Sequence, residues 1–194
     1  MPIDLTSTDT AFGVFVGLGL SAAAGLRIFI PLLAASVASL TGHLELASSF
    51  DWIGTTPALV GFAVAAAVEI AAYLVPFLDN VLDALAAPAA AVAGTVLTAS
   101  SIVEMSPWLK WSLAIIAGGG IAGTIHVFTG ATRLTSTATT GGVANPAVST
   151  AEAGGALGVS VIAIAAPILG VLLALLLVYL AARTLSRRRL RRSL

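Results

Sequence analysis

Four side chains stand where the chemistry of charge matters most. Arg27 lies inside a long apolar stretch, Glu69 past the middle of a second, and His126 inside a later one, with Arg133 seven residues beyond it. A charge at membrane depth usually faces a bundle interior, where it pairs or lines a pathway. Arg27 and Glu69 each supply what the other needs, so a buried Arg27–Glu69 ion pair fixing two helices is one expectation. A polar pathway through the same residues is the other. His126 is expected as a neutral side chain hydrogen-bonded across helices, with proton relay as the alternative because its ordinary pKa is about 6.5. His43 falls in a loop, so no second imidazole stands near His126, and no metal site is expected.

Two further segments carry polar groups in patterns. Asp79, Asn80 and Asp83 follow Pro76 in PFLDNVLDALAAP. They suit the cap of a helix, while Asp79 and Asp83, one turn apart, suit a cation or an arginine. The stretch from Arg133 to Pro146, RLTSTATTGGVANP, is too polar to span and too uncharged for an ordinary surface loop. Thr139, Thr140, Gly141, Gly142 and Asn145 fit a broken backbone with free donors that lines a cavity or cradles an anion. An exposed connecting loop is the alternative. No motif of catalysis, phosphate binding or zinc chemistry occurs. With no Cys there are no disulfides or thiolate sites. No cofactor is expected, and no catalytic residue is assigned.

These groups must be positioned by helices whose solvent is lipid. Of 194 residues, 58% are hydrophobic and 9% charged, and the mean hydropathy is +1.05; a soluble domain carries about 25% charged residues. Too few charges exist to coat a soluble particle, so an all-α, polytopic transmembrane bundle is expected, a single membrane domain over 1–194. About five spans are expected: Ala11–Leu40, interrupted at Gly25, Arg27 and Pro31, then Pro57–Val75, Val81–Val103, Pro107–Gly130 and Ala151–Ala182. Pro88 and its alanines leave the third open as a re-entrant segment. Thr56-Pro57 and Ser106-Pro107 mark helix starts, and Ser149-Thr150-Ala151-Glu152 has the spacing of a capping box. Small residues at Gly13, Gly17, Ser21 and Gly25, and again at Gly119 and Gly123, suit close helix packing.

Six of the nine basic residues, Arg183, Arg187, Arg188, Arg189, Arg191 and Arg192, crowd the tail 183–194. The positive-inside rule puts that tail in the cytoplasm, and five crossings put the acidic N-terminus outside. Because MPIDLTSTDT has no basic residue, the first apolar stretch is expected to be retained rather than cleaved. A membrane role accounts for the basic tail, so nucleic-acid binding is not expected. Segment AAAGLRIF matches IAGTIHVF at a shift of 99, setting Arg27 on His126, and a weaker match pairs Ile70–Pro76 with a segment ending at Pro167. Either chance among alanines or an inverted repeat explains them.

Three segments, AAAGLRIFIPLL, EIAAYLVPFLDNVLDALAAP and STATTGGVANP, together resemble an uncharacterised family of small bacterial multi-pass membrane proteins, a domain of unknown function. The resemblance runs from about Gly17 past the fifth span. It implies the fold and no activity. The leading functional expectation is a small transporter or channel-like oligomer for a small anion or lipid headgroup, with Arg27, Arg133 and the Thr139–Gly142 backbone lining a cavity that Glu69 and Asp83 balance. A non-transporting scaffold or assembly factor is second, and an intramembrane lipid-modifying enzyme third.

Overall fold

Proline, glycine and one arginine decide where this apolar chain turns. The computed structural model describes residues 8–75 and 78–192, with side chains over 9–75 and 86–186. Helices α1 (Thr8–Leu26) and α2 (Phe29–Leu40) are followed by a 3-10 turn at Ser48–Gly54. Then come α3 (Thr56–Tyr73), α4 (Leu78–Ser101), α5 (Pro107–Leu113), a π-helical stretch at Ala114–Gly119, α6 (Gly120–Thr140), α7 (Asn145–Ala165) and α8 (Pro167–Arg192). Among the described residues there is no strand. Among the described residues, five helices are long and apolar enough to cross a membrane: Asp9–Leu26, Thr56–Tyr73, Pro107–Thr140, Asn145–Ala165 and Pro167–Ser186. The chain is a helical membrane bundle.

Five is also the expected number, but the members differ: the expected Val81–Val103 falls on α4 and is not one of these five, and two of the expected stretches are each two helices. The stretch Ala11–Leu40 is a hairpin and not one interrupted crossing. After α2 the chain returns to where α1 began, since His43 and Leu44 line one cavity with Asp9, Thr10 and Gly13. The stretch Ala151–Ala182 is likewise two helices. Pro167 has no N–H to continue α7, Ala166 leaves helical geometry at φ −144° and ψ 74°, and α8 doubles back until Gly170 lies against Ala163. The expected capping box is therefore internal: α7 starts at Asn145, and Ser149 and Glu152 sit on its buried face. At α3 the capping hydroxyl is one residue earlier than expected, with Thr55 Oγ1 accepting from Ala58 N–H at 3.4 Å.

Small residues set the interior. A Cβ on Gly17 would stand 2.7 Å from Thr98 Cα, and one on Gly13 would stand 2.3 Å from the Ser101 carbonyl oxygen, so α1 and α4 touch backbone to backbone, antiparallel. Ser21 Oγ lies 2.7 Å from the Gly94 carbonyl oxygen and 2.8 Å from Thr98 Oγ1, a polar clasp inside the contact. Gly94 in turn meets Gly118 and Ala122, where the wide π turn brings its backbone against α4. Because α1 and α6 both run antiparallel to α4, they run the same way. The expected inverted relation between the segments around Arg27 and His126 is therefore not found, and α6 passes through His126 unbroken where α1 stops at Leu26.

The outer helices face lipid. Only 11% of the α3 span and 17% of the α8 span are buried, against 56% for α1. Val60, Val64 and Val68 on α3 and Leu169, Leu172 and Leu176 on α8 are exposed. At the end where α1 starts, Thr10 Oγ1 donates to the Glu104 carbonyl, Ala47 N–H donates to the Ser100 carbonyl, and Trp111 packs 6.1 Å from Phe50. Trp52 and the exposed Trp108 lie on the same end, the placement of an interfacial aromatic belt. Pro167 shares a cavity with Asp9 there, and α8 then runs 26 residues, about 39 Å, to the other end. The two ends of the described chain thus lie at opposite ends of the bundle.

The chain has no cysteine, so single cysteines report topology directly. At positions 9 and 43 they should react with an impermeant maleimide from one side of the membrane, and at 186 from the other. Opposite labelling of 9 and 43 would mean that α1 and α2 form one crossing.

Candidate functional site

The turn between α1 and α2 creates the polar centre. Arg27 N–H still donates to the Ala23 carbonyl at 3.0 Å, but the next two N–H groups face away from α1. Glu69, reaching across from α3, accepts both: Ile28 N–H at 2.9 Å and Phe29 N–H at 3.1 Å. Helix starts carry such orphan donors and a partial positive charge, so a carboxylate fits there in place of a local cap. The expected Arg27–Glu69 ion pair is not formed; Glu69 holds the backbone that turns at Arg27.

The Arg27 guanidinium pairs instead with Glu152. Its Nη2 lies 3.2 Å from Glu152 Oε2 and donates to the Ser149 carbonyl at 3.1 Å. Arg133, from α6, bonds through its own Nη2 to the same carboxylate oxygen. Both guanidinium groups also lie over the Tyr73 ring, with Cζ at 4.0 Å for Arg27 and 4.1 Å for Arg133. Cation–π contacts of this kind reach about 2 kcal/mol when desolvated. Arg27 is 1% exposed, Arg133 0% and Glu152 8%, so this charge group is sealed from bulk solvent. Arg27 Nε and Nη1 have no hydrogen-bond acceptor among the described residues. Ser149 Oγ donates to the Tyr73 carbonyl at 3.2 Å, which ties the end of α3 to the first turns of α7.

Arg27 and Arg133 thus converge, and Glu69 touches the same turn. His126 is buried on α6, two turns before Arg133 and on the same face. The Thr-rich stretch is helical rather than broken. Thr139 and Thr140 are exposed on the last turn of α6, their hydroxyls donating back to the carbonyls of Thr135 and Ser136. Gly141 at φ 62° and Gly142 at φ 89° make a left-handed turn that suits glycine, and the buried Asn145 donates through Nδ2 to Thr137 Oγ1 at 2.9 Å. Polarity here closes the turn between α6 and α7, where Ala144 N–H also donates to Thr140 Oγ1 at 3.2 Å. The side chains of Asp79, Asn80 and Asp83 lie outside the described residues.

Glu152, Tyr73 and Ser149 were not among the candidate site residues; Ser149 and Glu152 were expected only as a capping box. A signal for two of them existed in the period of α7, where Asn145, Ser149, Glu152, Ala156, Ser160 and Ala163 are all buried at steps of three or four. On α3, Ala66 and Tyr73 are buried with Glu69 between them on the same face.

A family model described as Domain of unknown function (DUF4126) matches residues 14–187, a range that includes every residue of this cluster. No curated protein and no solved structure matches the chain.

Removing Glu152 leaves two buried cations facing each other, whereas removing Arg27 leaves Glu152 still paired with Arg133. Glu152→Ala should therefore destabilise the detergent-solubilised protein by about 3–5 kcal/mol, and Arg27→Ala by clearly less. The double variant should recover about 1 kcal/mol or more relative to the sum. Denaturant unfolding of the single and double variants measures this, and simple additivity would show that the two residues are not coupled.

Proposed function

We propose that this chain, which belongs to the DUF4126 family, is a small transporter-like membrane protein that binds a small anion at Arg27 and Arg133. The anion is a free solute or the headgroup of a lipid. One observation carries this reading: two fully buried guanidinium groups share one carboxylate oxygen, and Arg27 retains two N–H-bearing nitrogens with no acceptor among the described residues. The large majority of buried polar atoms have a hydrogen-bond partner, so two open nitrogens on one buried guanidinium call for an acceptor that a bound anion would supply. Arginine presents its donors in a fork that suits carboxylate and phosphate oxygens. Glu69 holds the turn in place, and Asp83, with Glu69, would offset charge as substrate enters. His126, Thr139, Thr140, Gly141, Gly142 and Asn145 then belong to the frame around the site.

With the arginine-rich tail in the cytoplasm of a bacterial inner membrane, the site lies toward the cytoplasmic side, because α1 starts at the opposite end and Arg27 follows its last residue. Assembly as a homo-oligomer fits the exposed apolar faces of α3 and α8. The alternative role, a non-transporting scaffold, draws its support from the close backbone packing of α1, α4 and the π-helical stretch, which resists large motion there.

Flux decides between these roles. Proteoliposomes holding the purified protein should take up radiolabelled phosphate, acetate or chloride above protein-free vesicles, and Arg27→Gln should lower that uptake by about tenfold or more, equivalent to about 1.4 kcal/mol of lost binding. Folded wild-type protein that moves none of the three would favour the scaffold.

A further inference from the structure

We infer that Glu152 is a tethered occupant of the anion site, displaced by a small monocarboxylate only when a proton enters with it. This rests on the anion-binding role proposed above and names its ligand class. The geometry supplies the first reason. Glu152 Oε2 is the point where Arg27 and Arg133 meet, so a carboxylate group, one belonging to the chain, already sits where a carboxylate ligand would be bound. Glu69 is no substitute, because its two oxygens are held by Ile28 and Phe29 N–H.

Charge supplies the second reason. Among the described side chains, two guanidinium groups face Glu152 and Glu69, and the four charges cancel. A second anion in this sealed site would leave an unbalanced buried charge, which a low-dielectric interior does not tolerate. Protonating Glu152 removes the excess: the proton that enters with the ligand forms an O–H bond on its carboxyl, the ion pairs are released, and the incoming carboxylate takes both arginines. A monovalent anion keeps the balance at one proton, and the unmatched Arg27 Nε and Nη1 offer it the edge that Glu152 leaves open.

The charged and titratable groups of this centre come from the elements packed around it: Arg27 from the α1–α2 turn, Glu69 and Tyr73 from α3, and Arg133 from α6, with His126 buried two turns earlier on the same helix. Tyr179 and Arg183 of α8 are exposed and point elsewhere. Asp79 and Asp83 of α4 have side chains outside the described residues.

Chemical rescue tests the inference without requiring transport. In a sulfonate buffer, acetate or formate should raise the unfolding temperature of Glu152→Ala by about 5 °C or more. It should leave the wild type at neutral pH almost unchanged, and sulfate should rescue neither. Calorimetric titration of the wild type with acetate, in two buffers of different ionisation heat, should show uptake of about one proton, with affinity falling about tenfold per pH unit where Glu152 is ionised. Glu152→Gln should bind acetate with no proton uptake and no such pH dependence, and it keeps the question open to test if the alanine variant does not fold. Proton-free binding by the wild type, or no rescue of a folded Glu152→Ala, overturns the role of Glu152 and leaves the anion site standing. No binding of acetate, formate or phosphate to any of the three proteins overturns both.

Discussion

The fold depends on how a guanidinium is kept in a region that lipid surrounds. Arg27 sits where α1 ends, and the chain reverses there into α2. Reversal frees two backbone donors, and the side chain brings a charge, so two different carboxylates are needed. Glu69 answers the backbone and Glu152 answers the charge. Because one comes from α3 and the other from α7, satisfying one turn fixes the placement of four helices. Arg133 and Tyr73 then add α6 and the end of α3 to the same centre. Elsewhere the bundle is held by small residues in close contact, where the energy is spread thinly over many atoms.

Much of the architecture was legible in the sequence because lipid imposes a simple rule on composition. The apolar lengths, the prolines at helix starts and the Gly13, Gly17, Ser21 and Gly25 stripe all act locally, and each appears in the expected place. What did not read out was direction. A hydropathy profile cannot distinguish a helix that continues from one that turns back, so the stretches around Arg27 and Ala166 each looked like one long span. Both reversals do carry a local mark, Arg27 in one and Ala166-Pro167 in the other. A mark of the same kind, Pro88, stands inside a helix that continues.

The site was half legible for a related reason. Arg27 and Arg133 stand out because charge is rare here, but their partner does not follow from rarity. Glu69 and Glu152 are both lone carboxylates in apolar helices, and nothing in their composition ranks one above the other as the partner of Arg27. Glu152 also lay in a string with the spacing of a capping box, a local explanation that hid its long-range role. The Thr-rich stretch misled in the opposite direction. Its hydroxyls look like a ligand cradle, yet most are satisfied by carbonyls one turn back on their own helix.

The wide separation between Arg27 and its partners bears on how the protein is made. Arg27 donates to a carbonyl 122 residues later in the chain, so during synthesis it leaves the ribosome long before α7 exists. At about 5–20 residues per second, the first hairpin waits several seconds with its charge unanswered. It must stay in the insertion machinery, at the membrane surface or in the care of a chaperone over that interval. A nascent chain stalled before Glu152 would hold a turn that cannot be completed, which makes it a natural target for membrane quality control. The last helices of the bundle thereby certify the first.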